Sequence, residues 1–121
     1  MGKTVIIGSV PKTYRYASQA AGRLHENGID FVPVGIREGE VLGKQILNVY
    51  DNPVIEEVDT VTLYVNPKRQ KTIYSFILGL NPRRIIFNPG TENQELKVLA
   101  EKQNIETLEA CTLVMLSIGN Y

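Results

Sequence analysis

The sequence predicts an α/β fold: a single Rossmann-like, doubly wound domain over residues 1–121, with a five-stranded parallel sheet and helices on both faces. Short apolar runs without polar alternation recur along the chain, as expected for strands buried on both faces. Helical periodicity or helix-capping residues follow several of these runs, and such alternation builds parallel sheets with right-handed crossovers. The length of 121 residues suits one domain.

The first half of the chain predicts two strands and one helix. Residues 4–7 form a β-branched run that stops at Gly8, and the next helix places apolar residues at i, i+3, i+4 and i+7 across 17–24. The second strand covers 31–34, where Pro33 lacks an N–H and therefore favours a sheet edge or a strand end. Residues 35–58 have no periodicity strong enough for an assignment.

The second half predicts three strands, two helices and a C-terminal apolar segment. A strand at 60–65 stops where Asn66 can cap a helix and Pro67 can occupy its first turn. A strand at 84–87 precedes a turn and a capping box at Thr91-Glu92-Asn93-Gln94. The fifth strand is predicted at 105–108, and residues 113–118 form the final apolar segment.

Composition excludes several classes of function. Thirteen Lys and Arg residues balance thirteen Asp and Glu residues, so we expect neither nucleic acid nor a membrane surface as a partner. The single cysteine, Cys111, excludes an internal disulfide framework, and with one histidine, His25, it cannot form an ordinary zinc site. We predict a cytoplasmic protein without a metal or an evident catalytic group.

The loops at the carboxyl ends of the strands are the expected ligand site, since doubly wound sheets bind ligands there. These loops are residues 8–13, 65–68 and 88–93. In the first loop, Gly8 and Ser9 allow close backbone approach, and the following helix offers free N–H groups to a pyrophosphate. Lys12 and Arg15 add positive charge.

The dinucleotide fingerprint Gly-x-Gly-x-x-Gly is absent, because Val10 and Thr13 stand at its second and third glycine positions. The end of the second strand also supplies a cation where NAD binding needs an acid. Arg37 or Lys44 there suits a phosphorylated ribose, either the 3′-phosphate of coenzyme A or the 2′-phosphate of NADP.

Several segments in this order resemble the small stand-alone CoA-binding proteins, which are similar to the N-terminal domain of the succinyl-CoA synthetase α subunit. The segments are 8–12, 14–17, 32–34, the glycine-rich loop to Gly43, 59–61 and 88–93. The resemblance covers nearly the whole chain and implies a Rossmann-like fold that binds coenzyme A. That synthetase's phosphohistidine belongs to a separate domain, so ligase activity is not implied.

The resemblance also assigns roles to particular residues. It places the pyrophosphate of coenzyme A on the first loop, Gly8, Ser9, Val10, Pro11 and Lys12, with Arg15 in support. It places the adenosine beside Val65, Asn66 and Pro67, and a basic residue in the region of Lys44. After the fourth strand the family has an aromatic residue and Gln-x-Gly, and this chain has Phe87, Asn88, Pro89 and Gly90.

Three functions remain open at this point. The first is non-catalytic binding of coenzyme A or acyl-CoA through the Gly8-Ser9 loop. The second is a minimal NADP-dependent oxidoreductase, which uses the same loop and Arg37. The third is a protein-interaction module without a ligand; a homo-oligomer or a partner protein is compatible with all three.

Overall fold

The computed structural model describes residues 2–121 and contains eight strands and five helices within them. The strands are β1 (Lys3–Ile7), β2 (Phe31–Gly35), β3 (Glu40–Val41), β4 (Lys44–Gln45), β5 (Leu47–Asn48), β6 (Val58–Leu63), β7 (Arg84–Phe87) and β8 (Glu106–Glu109). The helices are α1 (Tyr16–Glu26), α2 (Pro67–Gln70), α3 (Tyr74–Gly79), α4 (Gln94–Lys102) and α5 (Thr112–Ser117). Short 3-10 turns lie at Val49–Asp51 and Lys71–Ile73.

Six strands form one parallel sheet in the order β5-β2-β1-β6-β7-β8. Chain order reverses between β1 and β6, as in doubly wound nucleotide-binding sheets. The predicted fold class is confirmed, with six strands where the sequence predicted five. The additional strand, β5, and the separate antiparallel pair β3–β4 both lie in the segment that sequence periodicity left unassigned.

Helices cover both faces of the sheet, as predicted. Alternate residues of β1 point to opposite faces, so Val5 and Ile7 join the core under α3 and α4, whereas Ile6 joins the core under α1 and α5. Three alanines and Leu24 form the buried stripe of α1. The connections after β1 and β6 therefore leave the sheet towards opposite faces, and a crevice opens between them.

The position of Pro33 in the sheet fits its missing N–H. Strand β2 lies one place inside the edge, but its outer neighbour β5 pairs only with Val34 and Gly35. The outer side of β2 at Pro33 has no partner strand, so the proline costs no hydrogen bond there.

The predicted capping box is wrong, because the residue that caps the helix is Asn93, two residues after Thr91. Helix α4 begins at Gln94, and the Asn93 side chain caps it by accepting a hydrogen bond from the Leu96 N–H at 3.2 Å. Thr91 is not free to cap, since its hydroxyl donates to the Asn88 carbonyl at 2.8 Å within the preceding turn.

Tyr121 joins the two ends of the chain at the amino edge of the sheet. Its hydroxyl is hydrogen-bonded to the buried Thr4 hydroxyl of β1, and the Arg84 guanidinium of β7 lies 4.5 Å from the centre of its ring. Arg84 is itself buried and donates to the Thr60 hydroxyl at 2.9 Å. The aromatic ring thus shields a cation that has no carboxylate partner among residues 2–121.

We predict that Tyr121→Phe lowers the free energy of unfolding by about 1 kcal/mol, because it removes one hydrogen bond and keeps the ring over Arg84. Tyr121→Leu also removes the cation–π contact and should lower it further, by about 0.5–2 kcal/mol. Urea denaturation of the three proteins measures both steps. Equal stability of wild type and Tyr121→Leu would contradict this role.

Candidate ligand-binding cleft

A cleft of about 590 Å³ opens at the carboxyl ends of β1, β2 and β6, where the chain order reverses. Eight of the residues predicted as ligand contacts line it: Gly8, Ser9, Val10, Lys12, Arg15, Arg37, Val65 and Asn66. Five others do not: Pro11, Lys44, Pro67, Asn88 and Gly90. The rest of the lining was not predicted from the sequence: Ile7, Gly35, Ile36, Val49, Tyr50, Tyr64, Arg69 and Ile73.

Two glycines allow the floor of the cleft to form. Gly8 has φ +104°, and a Cβ there would lie 3.0 Å from the Tyr64 carbonyl group. A Cβ on Gly35 would lie 2.3 Å from the Ser9 carbonyl oxygen, closer than any side chain permits. The ends of β1, β2 and β6 therefore approach one another to a distance that only glycine tolerates.

The Gly8-Ser9 turn is held by the protein itself. Both N–H groups donate to the Val34 carbonyl, at 2.9 and 3.0 Å, and the Ser9 hydroxyl donates to the Ile6 carbonyl at 3.0 Å. Ser9 is only 2% exposed. These two residues thus shape the floor, and their amides are not free donors for a ligand.

Free backbone donors lie further along the same loop. Within residues 2–121, no acceptor is found for the N–H groups of Val10, Lys12 and Thr13. Helix α1 begins after Arg15, whose side chain makes no capping hydrogen bond. The loop and the start of α1 therefore carry unpaired N–H groups and positive dipole potential, which together favour an anion.

The cleft is lined by four cationic side chains and no acidic one: Lys12, Arg15, Arg37 and Arg69. None of the four forms an ion pair, because the salt bridges in the described part of the chain belong to Lys44 and Arg83. Arg69 stands one residue beyond the predicted loop 65–68, so a boundary placed one residue later would have included it.

The local field is positive enough to affect a nearby phenol. Lys12 lowers the pKa of the exposed Tyr14 hydroxyl, and Arg15 adds to the effect. The Arg15 guanidinium also lies 5.7 Å from the centre of the Tyr14 ring. Tyr14 and Tyr16 are both exposed, and neither lines the cleft.

Lys44 lies away from the cleft. Its Nζ is 2.6 Å from Asp30 Oδ1 and 2.8 Å from the Phe31 carbonyl, both at the amino end of β2. The β3–β4 hairpin folds the glycine-rich loop back along β2 and thereby carries Lys44 to the opposite edge of the sheet. Lys44 lowers the pKa of the Asp30 carboxyl group, and the positive charge of Lys44 is already paired with that carboxylate.

Pro11 and Pro67, two of the predicted ligand contacts, also lie outside the cleft lining. Pro11 faces the loop before β3, since a Cβ on Gly39 would lie 2.7 Å from Pro11 Cβ. Pro67 occupies the first position of α2, while Asn66, which does line the cleft, caps that helix by accepting from the Arg69 N–H at 2.9 Å. The Val65 carbonyl accepts from the buried Gln70 side chain at 2.8 Å.

Asn88 is a structural residue. The residue is only 3% exposed. Its NH₂ group donates to the Thr62 hydroxyl at 2.7 Å and to the Leu63 carbonyl at 2.8 Å. Its oxygen accepts from the Thr112 N–H at 2.8 Å. The side chain joins β6, β7 and the start of α5, and the exposed Gly90 completes the adjoining turn.

Tyr64 forms part of the cleft wall and holds an unsatisfied buried group. Its hydroxyl is buried and has no hydrogen-bond partner among residues 2–121. Burial raises the pKa of Tyr64 to about 12, and the nearby hydroxyls of Thr62 and Thr112 offset only part of that effect. At neutral pH this phenol is therefore protonated.

The remaining reactive side chains do not converge on the cleft. His25 is exposed on the last turn of α1, and Cys111 is half-buried directly before α5. Across residues 2–121, no group of three His, Cys, Asp or Glu side chains has the arrangement of a metal site. No described helix is both long and apolar enough to span a bilayer.

We predict that Asn88→Asp lowers the free energy of unfolding by more than about 2 kcal/mol, since a carboxylate oxygen would face two acceptors where an NH₂ group donates. Urea denaturation measures the loss. Asn120→Asp, which makes the same change at an exposed position, is the matched control and should stay within about 0.5 kcal/mol of wild type. A small effect at both positions would contradict the structural role.

We further predict that Tyr64→Phe does not destabilise the protein at neutral pH, because the hydroxyl it removes makes no hydrogen bond. Between pH 10 and pH 12 the unfolded chain releases the Tyr64 proton before the folded protein does, so wild-type stability falls as pH rises. The variant should lose less stability between about pH 9 and about pH 11 in urea denaturation. An equal loss in both proteins would show that other groups cause it.

Comparison with known proteins agrees with this architecture. A crystal structure of an uncharacterized protein is 55% identical, matches 100% of this chain and 98% of its own, and superposes with a TM-score of 0.95. A hypothetical protein from Pyrococcus horikoshii OT3 is 24% identical over 96% of this chain and 82% of its own, with a TM-score of 0.84. A conserved hypothetical protein from Pyrococcus furiosus is 21% identical over 94% of this chain and 98% of its own, with a TM-score of 0.80.

The two archaeal structures, below 25% identity, show the shared fold alone. No curated protein matches the sequence. The family model described as "CoA binding domain" matches residues 2–117. The chain therefore belongs to the CoA-binding domain family.

Proposed function

We propose that this protein binds coenzyme A or an acyl-CoA in the cleft between β1, β2 and β6, without catalysing a reaction. The observation that supports this most strongly is that, among residues 2–121, four cations line the cleft, none of them is ion-paired and no acid lines it with them. Such a set of unneutralised charges favours a ligand with several phosphate groups, and the family match names coenzyme A.

The free donors divide between two kinds of phosphate. The unpaired N–H groups of Val10, Lys12 and Thr13 and the uncapped start of α1 suit the pyrophosphate, with Lys12 and Arg15 supplying charge. Arg37 follows β2, where nucleotide-binding sheets contact the ribose, and its planar guanidinium can bind the 3′-phosphate through two hydrogen bonds.

In this proposal, the predicted contacts have unequal roles. Gly8 and Ser9 give the floor its shape, and Val65 and Asn66 form the wall beside the adenosine. Lys44, Asn88 and Gly90 have no role in binding, because their partners or positions lie elsewhere in the protein.

The side chains that line the cleft support the proposed absence of catalysis. The described cleft lining contains no carboxylate, imidazole or thiol, which are the groups that most often act as general bases or nucleophiles. Binding that sequesters or presents the thioester needs none of them.

We expect Arg37→Gln to weaken CoA binding by about tenfold or more, because it removes charged hydrogen bonds to the 3′-phosphate. Isothermal titration calorimetry with CoA and with dephospho-CoA measures the effect. Dephospho-CoA lacks that phosphate, so its affinity should change much less. Lys44→Gln is the matched control at the opposite edge of the sheet and should bind CoA as wild type does.

The same titration separates the competing functions. Displacement of bound nucleotide by 3′,5′-ADP rather than 2′,5′-ADP supports coenzyme A, and the reverse order supports NADP, which the Arg37 position also suits. Failure of the wild-type protein to bind CoA at millimolar concentration would overturn the proposal, and failure to bind either nucleotide favours a ligand-free interaction module.

A further inference from the structure

We propose that Tyr50 is the platform on which the nucleobase of the ligand stacks, so that this residue holds the base while the cations of the cleft hold the phosphates. The inference rests on the proposed function and adds to it the contact that distinguishes the base from the phosphates. It follows from how firmly the Tyr50 backbone and hydroxyl are held while its ring stays exposed in the cleft.

The backbone of Tyr50 is fixed by the segment that follows β5. Tyr50 lies in the 3-10 turn Val49–Asp51, and its N–H donates to the Asn48 side-chain oxygen at 2.9 Å. Val49 is buried in the core on the α3–α4 face, and Asn52 closes the turn with φ +46°. These contacts set the direction in which the tyrosine leaves the chain.

The hydroxyl of Tyr50 is fixed from the other side of the crevice. It lies 2.9 Å from the Thr72 hydroxyl, which itself donates to the Arg69 carbonyl at 2.8 Å. Because the one Thr72 proton is used in that bond, Tyr50 is the donor in the first. The phenol thus bridges the turn after β5 and the turn between α2 and α3.

The ring nevertheless remains available to a ligand. Tyr50 is 58% exposed and lines the cleft. The other aromatic residue in the described lining, Tyr64, is largely buried. A ring that is held before the ligand arrives loses little conformational freedom on binding, which favours stacking.

The surroundings of Tyr50 offer apolar surface to a base. Ile36, 52% exposed, lines the same cleft from the end of β2, and Val49 and Ile73 belong to the core on the α3–α4 face. Lys12 and Arg15 stand across the sheet, before α1. Arg37 and Arg69 also line the cleft beside this wall, so an apolar and aromatic surface for a base lies next to cations for the phosphates.

The test uses CoA as the probe, with Tyr50→Leu, Tyr50→Phe and Thr72→Val. Loss of base stacking on an aromatic ring weakens binding by roughly 5- to 150-fold. We expect a loss in that range for Tyr50→Leu, and affinity within roughly threefold of wild type for Tyr50→Phe, which keeps the ring. Thr72→Val keeps the ring and removes the same hydrogen bond as Tyr50→Phe, so its affinity should be similar to that of Tyr50→Phe. Thermal unfolding of each free variant verifies that it folds.

Salt dependence separates a stacking contact from a general disturbance of the cleft. Removing a phosphate-binding cation makes log Kd less sensitive to log salt concentration, whereas removing an uncharged ring does not. Tyr50→Leu should therefore keep the wild-type slope, and Arg37→Gln should show a shallower one.

The outcomes separate this inference from the proposed function. If wild type binds CoA and Tyr50→Leu binds it equally well, or Tyr50→Phe is as weak as Tyr50→Leu, the stacking platform is wrong and CoA binding stands. A shallower salt slope for Tyr50→Leu would also overturn the platform. If wild type does not bind CoA, the proposed function fails and the platform fails with it.

Discussion

The close contact between the ends of β1 and β2 is the constraint on which the rest of the cleft depends. The Val34 carbonyl accepts hydrogen bonds from the N–H groups of both Gly8 and Ser9. A side chain on the next residue, Gly35, would collide with the Ser9 carbonyl oxygen. This arrangement makes the floor rigid and uses the first two amides of the loop. A ligand must therefore take its backbone hydrogen bonds from the residues that follow, beside Lys12 and Arg15.

Sequence periodicity was sufficient for five of the six strands of the sheet, since the long strands are apolar runs whose burial their composition dictates. It could not reveal β5, because a two-residue strand has no period, and so Tyr50 beside it was missed. Asn88 and Lys44 show a different limit. Both are polar residues in segments that the sequence predicts as loops. Only tertiary contacts determine that the Asn88 side chain is buried between β6 and α5 and that the Lys44 side chain reaches the amino end of β2.

A net charge of zero hides a marked separation of charge across the sheet. The ion pairs Lys44–Asp30, Arg83–Asp59 and Arg83–Glu106 all lie at the amino edge, where acids neutralise cations. At the carboxyl edge, the cations that line the cleft have no acidic partners. A balanced composition predicts no general attraction to polyanions, yet it is compatible with a local anion site, because the field of a cleft depends on the charges nearest to it.

The two walls of the cleft differ in how far they are prepared for a ligand. The wall with Tyr50, Thr72 and Arg69 is already joined by hydrogen bonds, so it needs little rearrangement on binding. The wall formed by the loop before α1 has unpaired N–H groups and unpaired cations, whose hydrogen-bonding capacity only water or a ligand can satisfy. A phosphate on that side would replace water at several donors at once, so we infer that the phosphates supply most of the affinity.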